Sequence, residues 1–494
     1  MVSRRFAQRG HASLTTELLG PGPDNAQRVT PRHRTLVVAT AVAVAALLAL
    51  SLHKRQTADA NTVAEPVSEA PAVSLINSAL TRVQDAVQGT ASPPPSGLTP
   101  VSLTGEQLQH VKPMMGRAEA RLIEIYQLIG NAQHREALKQ AESLVRDHPN
   151  FQLAHLVHGD LLSQQTRPVR RLGDVPDTQA LAASAQLTAL REESRRRLLA
   201  LTERPPEGAV PTQFLTLAPQ SRHAIAIDAS RSRLYLFENL NPARGNASEA
   251  DRAPRLKLLG DFYISVGLSG IEKTAEGDKR TPLGVYYITS TLNPADLPDL
   301  YGVGALPINY PNALDVQRGK TGSGIWLHGT PTEQFVRAPQ ASDGCVVLSN
   351  PDLQRLLGTV QIRTTPVVIA PSLQWVQPET LASDRAQFEA VLEAWRQTRS
   401  AGHLAELKTF YSNRFMNQGR DLAQWWPRVE SELRANGSRE LQMKDLSVLR
   451  WRDQDDTMVV TFGEVAAGQS RGVTKRQYWV REQDRWTIFF EGTI

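Results

Sequence analysis

From Ser221 onward, short apolar runs with a period near two alternate with turn residues, which predicts strands. The runs are His223 to Asp228, Arg233 to Glu238, Leu256 to Leu259 and Phe262 to Val266, and further ones follow at Tyr286 to Thr289, Gly324 to His328 and Pro366 to Ile369. Together they predict a mainly-β domain over 221–371. Asn350-Pro351-Asp352 reads as the cap of a helix over Leu353 to Leu357, its side-chain oxygens accepting from free amides. Ahead of this domain the period is helical. Ala118, Leu122, Ile125 and Ile129 share one face, a second pattern runs from Ala137 through Val145 to His148-Pro149, and a third from Leu153 to Leu162. The predicted helical domain spans 105–205 and is completed by Thr178 to Glu203. Its Ala-x-x-x-Ala-x-x-Leu-Val and Pro-turn pattern is like one tetratricopeptide-type unit, and its Arg195-Arg196-Arg197 run reads as a solvated face.

Two other stretches carry no such period. Thr35 to Leu52 has no charged residue and is about the minimum length for a spanning helix. Arg28, Arg32 and Arg34 precede it, which favours an amino terminus on the inner side. The expectation is a cytoplasmic tail over 1–34, a transmembrane anchor over 35–52 in the inner membrane, and everything beyond it in the periplasm. Over 53–104, Ala, Pro, Ser and Thr dominate, with Pro93-Pro94-Pro95, as in an extended tether. The segment Leu292 to Gly322 is irregular and long for a compact domain, and reads as a lid.

After 384 come two amphipathic helices and then strands at Met458 to Phe462, Arg476 to Val480 and Arg485 to Phe490. That order resembles a nuclear transport factor 2-like α+β cone over 384–494. Trp425, Trp426, Tyr478 and Trp486 are candidates to line a sugar site there, although aromatics are more often plain core; a sugar or a protein is the expected kind of ligand.

Composition narrows the function little. Lys and Arg number 55 against 50 Asp and Glu, a net charge of +5 spread along the 494 residues, which does not suggest a nucleic-acid partner. About three domains are expected from length alone. Cysteine is informative, because there is one, Cys345. A lone thiol outside the cytoplasm cannot close an internal disulfide and is a candidate nucleophile. It follows Ser342-Asp343-Gly344, and His328 ends the apolar run Ile325-Trp326-Leu327 upstream. An imidazole beside a thiol can take its proton and remain as imidazolium. Gly344 allows a sharp turn that aims nearby amides at an oxyanion, and the Gly329 carbonyl is placed to fix the histidine tautomer. A lone cysteine also packs commonly as a small hydrophobe, so these residues alone leave both readings open.

The surrounding motif resembles the L,D-transpeptidase (YkuD/ErfK) family of bacterial cell walls, whose signature is a His and, further on, Ser/Thr-His-Gly-Cys. His328, Gly329, Ser342, Gly344 and Cys345 match its core, and Asn350 and Asp352 its tail. Ile264 to Ile288, with Gly277-Asp278 and Thr281-Pro282-Leu283-Gly284, is similar to the family's glycine-rich loop and turn. Asp343 stands where a second His is usual, and Val347 where Arg is common. The resemblance implies a cysteine acyltransferase without cofactor or metal, acting through a thioester on peptidoglycan stem peptides that contain meso-diaminopimelate, in wall remodelling and cell shape. Asp343, Tyr310 and Asn350 are the expected substrate contacts. The domain layout is similar to that of cell-shape L,D-carboxypeptidases, which keeps hydrolysis to a tripeptide open beside transfer. A non-catalytic wall-binding protein is the third reading, with Asp343 as its support.

Overall fold

Ala118, Leu122 and Ile125 are buried on one side of helix α1 (Arg117–Gly130), as their spacing requires. They meet Ala137, Ala141 and Leu144 of α2 (His134–Asp147) and Leu153, Ala154 and Val157 of α3 (Gln152–Ser163). The long helix α4 (Ser184–Thr202) closes the group with Leu187 and Leu190. The computed structural model describes residues 99–100, 113–241, 253–437 and 439–494. The expected tail, the expected anchor at 35–52 and nearly all of the tether lie outside them. Among the described residues no helix is long and apolar enough to cross a membrane.

The Arg195 to Arg197 run departs from expectation. Only Arg195 is exposed, at 56%, whereas the Arg197 side chain is 2% exposed. Arg196 reaches the carbonyls of Ala229 and Ser230. Arg197 pairs with Glu119 at 2.9 Å and Glu193 at 2.8 Å. Glu119 also receives Arg233 at 2.8 Å, and Arg233 in turn donates to Asp261 at 2.6 Å. Two arginines and three carboxylates, all buried, thus join the helical region to the strands of the next domain. The Arg197 and Arg233 charges outweigh desolvation and hold the Glu119 carboxyl below its usual range.

Seen in chain order, the strands are β1 (Phe214–Thr216), β2 (His223–Asp228), β3 (Arg233–Asn239), β4 (Leu256–Tyr263), β5 (Val266–Gly267), β6 (Gly284–Tyr287), β7 (Ala305–Pro307), β8 (Trp326–His328), β9 (Gln340–Ser342), β10 (Val346–Val347) and β11 (Pro366–Ala370). The central sheet runs β4-β3-β2-β11-β6, with β11 parallel to β2 and the other pairs antiparallel. Alternation along β2 splits its residues between two cores. Ile225 and Ile227 face the layer of β8 and β10, while Ala224 and Ala226 face the C-terminal sheet.

That second sheet contains β12 (Leu441–Arg452), β13 (Asp456–Ala466), β14 (Val473–Glu482) and β15 (Arg485–Thr493), all antiparallel. Its other face carries α5 (Ala382–Ala401) and α6 (Leu422–Asn436). β1 comes before the central sheet in the chain, yet it pairs with β12 on the far side. Tyr235 and Phe237 of the central sheet meet Trp451 and Tyr478 of the other in a shared core, joined by Trp375 from the segment that follows β11. Trp425 and Trp426 fill the interior beneath the helices, and Tyr478 faces the opposite core. The four aromatics expected to line one sugar site therefore do not share a cavity; only Trp486 is half-buried.

Arg233→Met leaves Glu119 and Asp261 buried without their shared partner. It should cost about 3–5 kcal/mol, the scale for removing one member of a buried pair, read as a lower urea midpoint. A loss below about 1 kcal/mol would show that the cluster is solvated and does not weld the two regions.

Candidate active site

Strand β8 is the platform of the site, and its pairing explains what shares a face. It runs parallel to β10 with Leu327 opposite Val346 and His328 opposite Val347. Leu327 and Val346 point into the core, so His328 takes the other face. One step back in the same register, Cys345 falls beside Trp326, on the same face as His328. The pairing thus sets the thiol and the imidazole on neighbouring segments of one small sheet.

The histidine is held by its own turn and by a neighbouring ring. Its Nδ1–H donates to the Gly329 carbonyl at 2.7 Å, leaving the Nε2 lone pair free. The Tyr301 ring stands edge-on at 5.0 Å and also covers Trp326 at 4.7 Å. His328 is 3% exposed, and that burial lowers its pKa to about 4. Burial likewise pushes the Cys345 thiol up, against the opposing pull of the Trp326 amide and Arg337. Cys345 Sγ–H donates to the Gly324 carbonyl at 3.5 Å. Both shifts favour the neutral forms, an imidazole and a thiol.

A tight turn presents the thiol. Gly344 has φ +122°, and a Cβ there would lie 2.8 Å from the Arg280 carbonyl. The Ser342 hydroxyl donates to the Cys345 carbonyl at 2.6 Å and accepts from the Gly344 amide at 3.1 Å. The Gly344 amide is thereby spent inside the turn and not aimed at an oxyanion. The glycine-rich block abuts this turn. Thr281 Oγ1 accepts from the Gly267 amide and donates to the Gly344 carbonyl, both at 2.9 Å. A side chain at Gly267 would meet the Lys279 carbonyl at 2.3 Å. Asp278 binds the amides of Thr274, Ala275 and Arg280 and the Lys273 ammonium, and these bonds outweigh its partial burial and draw its carboxyl far below the usual range.

The expected substrate contacts separate. Asp343 stands at the rim, its side chain 84% exposed and 3.7 Å from Lys279. Asn350 turns inward: Oδ1 accepts from the amides of Val303 and Thr330, and Nδ2 donates to the Thr330 carbonyl. It clamps the turn after His328. The helix it opens (Asn350–Leu357) is capped instead by Ser349, whose hydroxyl accepts from the Asp352 amide. Tyr310 is a core residue, its hydroxyl donating to the Thr321 carbonyl at 3.0 Å. The segment expected to be a lid is woven into the domain. Ala305 to Pro307 pairs with β8, and Asn312 with Asp315 forms a capping box. What it brings to the site is Tyr301.

Three further residues contribute to the site. Thr281 was legible only as part of a turn. Phe335, between His328 and Cys345 in the chain, stacks on Phe151 at 4.4 Å and nears His148 at 5.0 Å, in the core of the helical region. Arg337 follows it, its charge felt by both His328 and Cys345.

Residues 222–369 match the L,D-transpeptidase catalytic domain (YkuD) family, and 387–492 match the Cds6 C-terminal NTF2-like domain. The chain therefore carries a YkuD L,D-transpeptidase domain followed by an NTF2-like domain. No curated protein sequence matches it. Among solved structures, Bd1075 of Bdellovibrio bacteriovorus is similar at 22% identity over 58% of this chain and 98% of that one, with a TM-score of 0.47. The helical cell shape determining protein Pgp2 of Campylobacter jejuni is similar at 21% identity over 57% of this chain and 95% of that one, with a TM-score of 0.44.

The resting protonation state has a direct readout. Alkylation of Cys345 by iodoacetamide, followed by mass spectrometry, should accelerate only as pH climbs past the ordinary thiol value, because the thiolate is the reactive form. A rate plateau extending down towards pH 4 would instead mark an imidazolium–thiolate pair.

Proposed function

We propose that this YkuD-domain protein is a peptidoglycan L,D-transpeptidase working through a Cys345 thioester, in wall remodelling and cell shape. The observation that carries it is the oriented, neutral His328 on the same strand face as the lone thiol. As Sγ attacks the carbonyl carbon between meso-diaminopimelate and the terminal D-Ala, its proton passes to His328 Nε2. The C–N bond then breaks, and the same proton leaves on the amine of D-Ala. The amine of a second stem attacks the thioester, gives a proton to Nε2, and forms the new peptide bond while the thiol is restored. Water in place of that amine would make the reaction a carboxypeptidase cleavage with the same residues. Ser342, Gly344 and Gly329 act by holding the two reacting groups.

Asp343 fits the substrate's ammonium group in this reading. Its carboxylate is exposed beside the thiol and only loosely engaged by Lys279, and an ammonium is its natural partner. The location proposed is periplasmic with an inner-membrane anchor, supported by the uncharged run 35–52 and the arginines before it. A reporter fused after Ile494 should be active only in the periplasm and sediment with membranes; a soluble product shortened past Leu52 would count against the anchor.

Cys345→Ala and His328→Ala should each abolish muropeptide turnover with little change in thermal stability, since they act as one unit. Exposure to a carbapenem should leave a covalent adduct on Cys345, detected by intact mass. Folded protein without an adduct would favour a wall-binding protein instead. Asp343→His should keep carbapenem reactivity and raise KM for a tetrapeptide; an unchanged KM would remove the ammonium contact.

A further inference from the structure

Arg337 has no task in the acyl-transfer scheme, yet the fold goes to some length to place it. The chain on either side is pinned. Phe335 is buried in the helical region, and its amide donates to the Asn150 carbonyl at 3.2 Å. The Tyr263 hydroxyl donates to the Arg337 carbonyl at 3.0 Å, and the Arg197 guanidinium lies 4.1 Å from the Tyr263 ring. Two residues on, the Pro339 carbonyl accepts the Val266 amide where β9 starts towards Cys345. The Arg337 side chain is half-buried and donates to the Leu300 carbonyl at 3.5 Å. Leu300 adjoins Tyr301, whose ring covers His328. The guanidinium therefore sits at the edge of the site, on the side of the imidazole.

The charge there is uncompensated. Among the described residues Arg337 forms no ion pair; Asp343, whose field it feels, is turned to Lys279. A half-buried guanidinium with one long hydrogen bond keeps most of its five donors unspent. Of the neighbouring cations, Lys279 faces Asp343 loosely at 3.7 Å. Lys273 is buried on Asp278 at 2.8 Å and the Ala275 carbonyl at 3.0 Å, and Arg280 donates to the Ile271 carbonyl. Val347, where the family resemblance would put an arginine, is 2% exposed and strapped to Ser265 by two backbone bonds at 2.9 Å. No cation can be supplied from that position.

We infer that Arg337 is the residue that grips a substrate carboxylate next to the scissile bond, by a paired guanidinium–carboxylate contact. This rests on the acyl-transfer reading of Cys345 and His328 and adds to it a specificity-determining group. A stem peptide offers two such carboxylates, the terminal one of D-Ala and the free one of diaminopimelate. Asp343 at one rim and Arg337 at the other would together read the ammonium and the carboxylate that flank the bond.

The test is binding to the full chain carrying Cys345→Ala, by calorimetry, so that turnover is not needed. Three peptides are compared: the meso-diaminopimelate tetrapeptide, its C-terminal carboxamide, and the analogue with lysine in place of diaminopimelate. One of the two altered peptides should bind about ten- to hundred-fold more weakly than the first, the range of a charged hydrogen-bonded contact, and which one identifies the carboxylate. Adding Arg337→Gln should abolish that preference, and Arg337→Lys should keep part of it. Equal binding of all three peptides, or a preference that survives Arg337→Gln, overturns the assignment. Turnover by the protein with Cys345 intact is followed in parallel. Carboxylate-dependent binding without turnover would sink the acyl-transfer reading while leaving Arg337 as the anion-binding residue.

Discussion

Everything about the site's position depends on a set of charges that never meet water. Glu119, Glu193, Arg197, Arg233 and Asp261 come from two helices and two strands far apart in sequence, and each is at most 3% exposed. Removing such groups from solvent costs several kcal/mol per ion, which the pairing must offset. The arrangement is therefore tolerable only in one geometry, and that geometry fixes α1 and α4 against β3 and β4. Arg197 then lies over the Tyr263 ring, and Tyr263 holds the backbone of Arg337. A line of contacts thus runs from the helical region to within reach of the thiol.

The chemistry itself needs little more than strand alternation and two places where only glycine fits. Alternation along β8 and β10 sends Leu327 and Val346 inward and leaves His328 and the flank of Cys345 on the open face. Gly344 and Gly267 allow the thiol turn and the Thr281 block to touch backbone to backbone. The hydroxyl of Thr281 joins them with one donated and one accepted bond. Burial favours the neutral forms of both His328 and Cys345.

Much of this was legible in the sequence, for a physical reason: strand periodicity, turn glycines and the His and Cys spacing are local signals. The strands near 223–238, 284–287, 326–328 and 366–370 and the three N-terminal helices fall where their patterns put them. What was missed is non-local. Arg197 looks like one of three solvated charges until Glu119 and Arg233 arrive from other elements to pair with it. Tyr310 and Asn350 are polar residues near a motif, which is where substrate contacts are sought. Their hydrogen bonds go instead to Thr321 and to the backbone of Val303 and Thr330. The irregularity of 292–322 was visible, but not that β7 within it completes a sheet with β8. The aromatic residues of the C-terminal domain divide between two cores because alternation along β14 sends Tyr478 and Trp479 to opposite faces.

The strand Phe214–Thr216 leaves its mark on how this chain could be cut or recombined. It belongs by sequence to the connector ahead of the catalytic domain, and by hydrogen bonding to the edge of the C-terminal sheet. An isolated catalytic fragment over 221–371 would lose it and would bare Ala224, Ala226, Tyr235 and Phe237, a contiguous oily face of the kind that drives association. The C-terminal sheet alone would present β12 as an open edge, a template for strand addition. Cutting the chain between the two domains would therefore expose apolar surface on one side and an unpaired strand on the other.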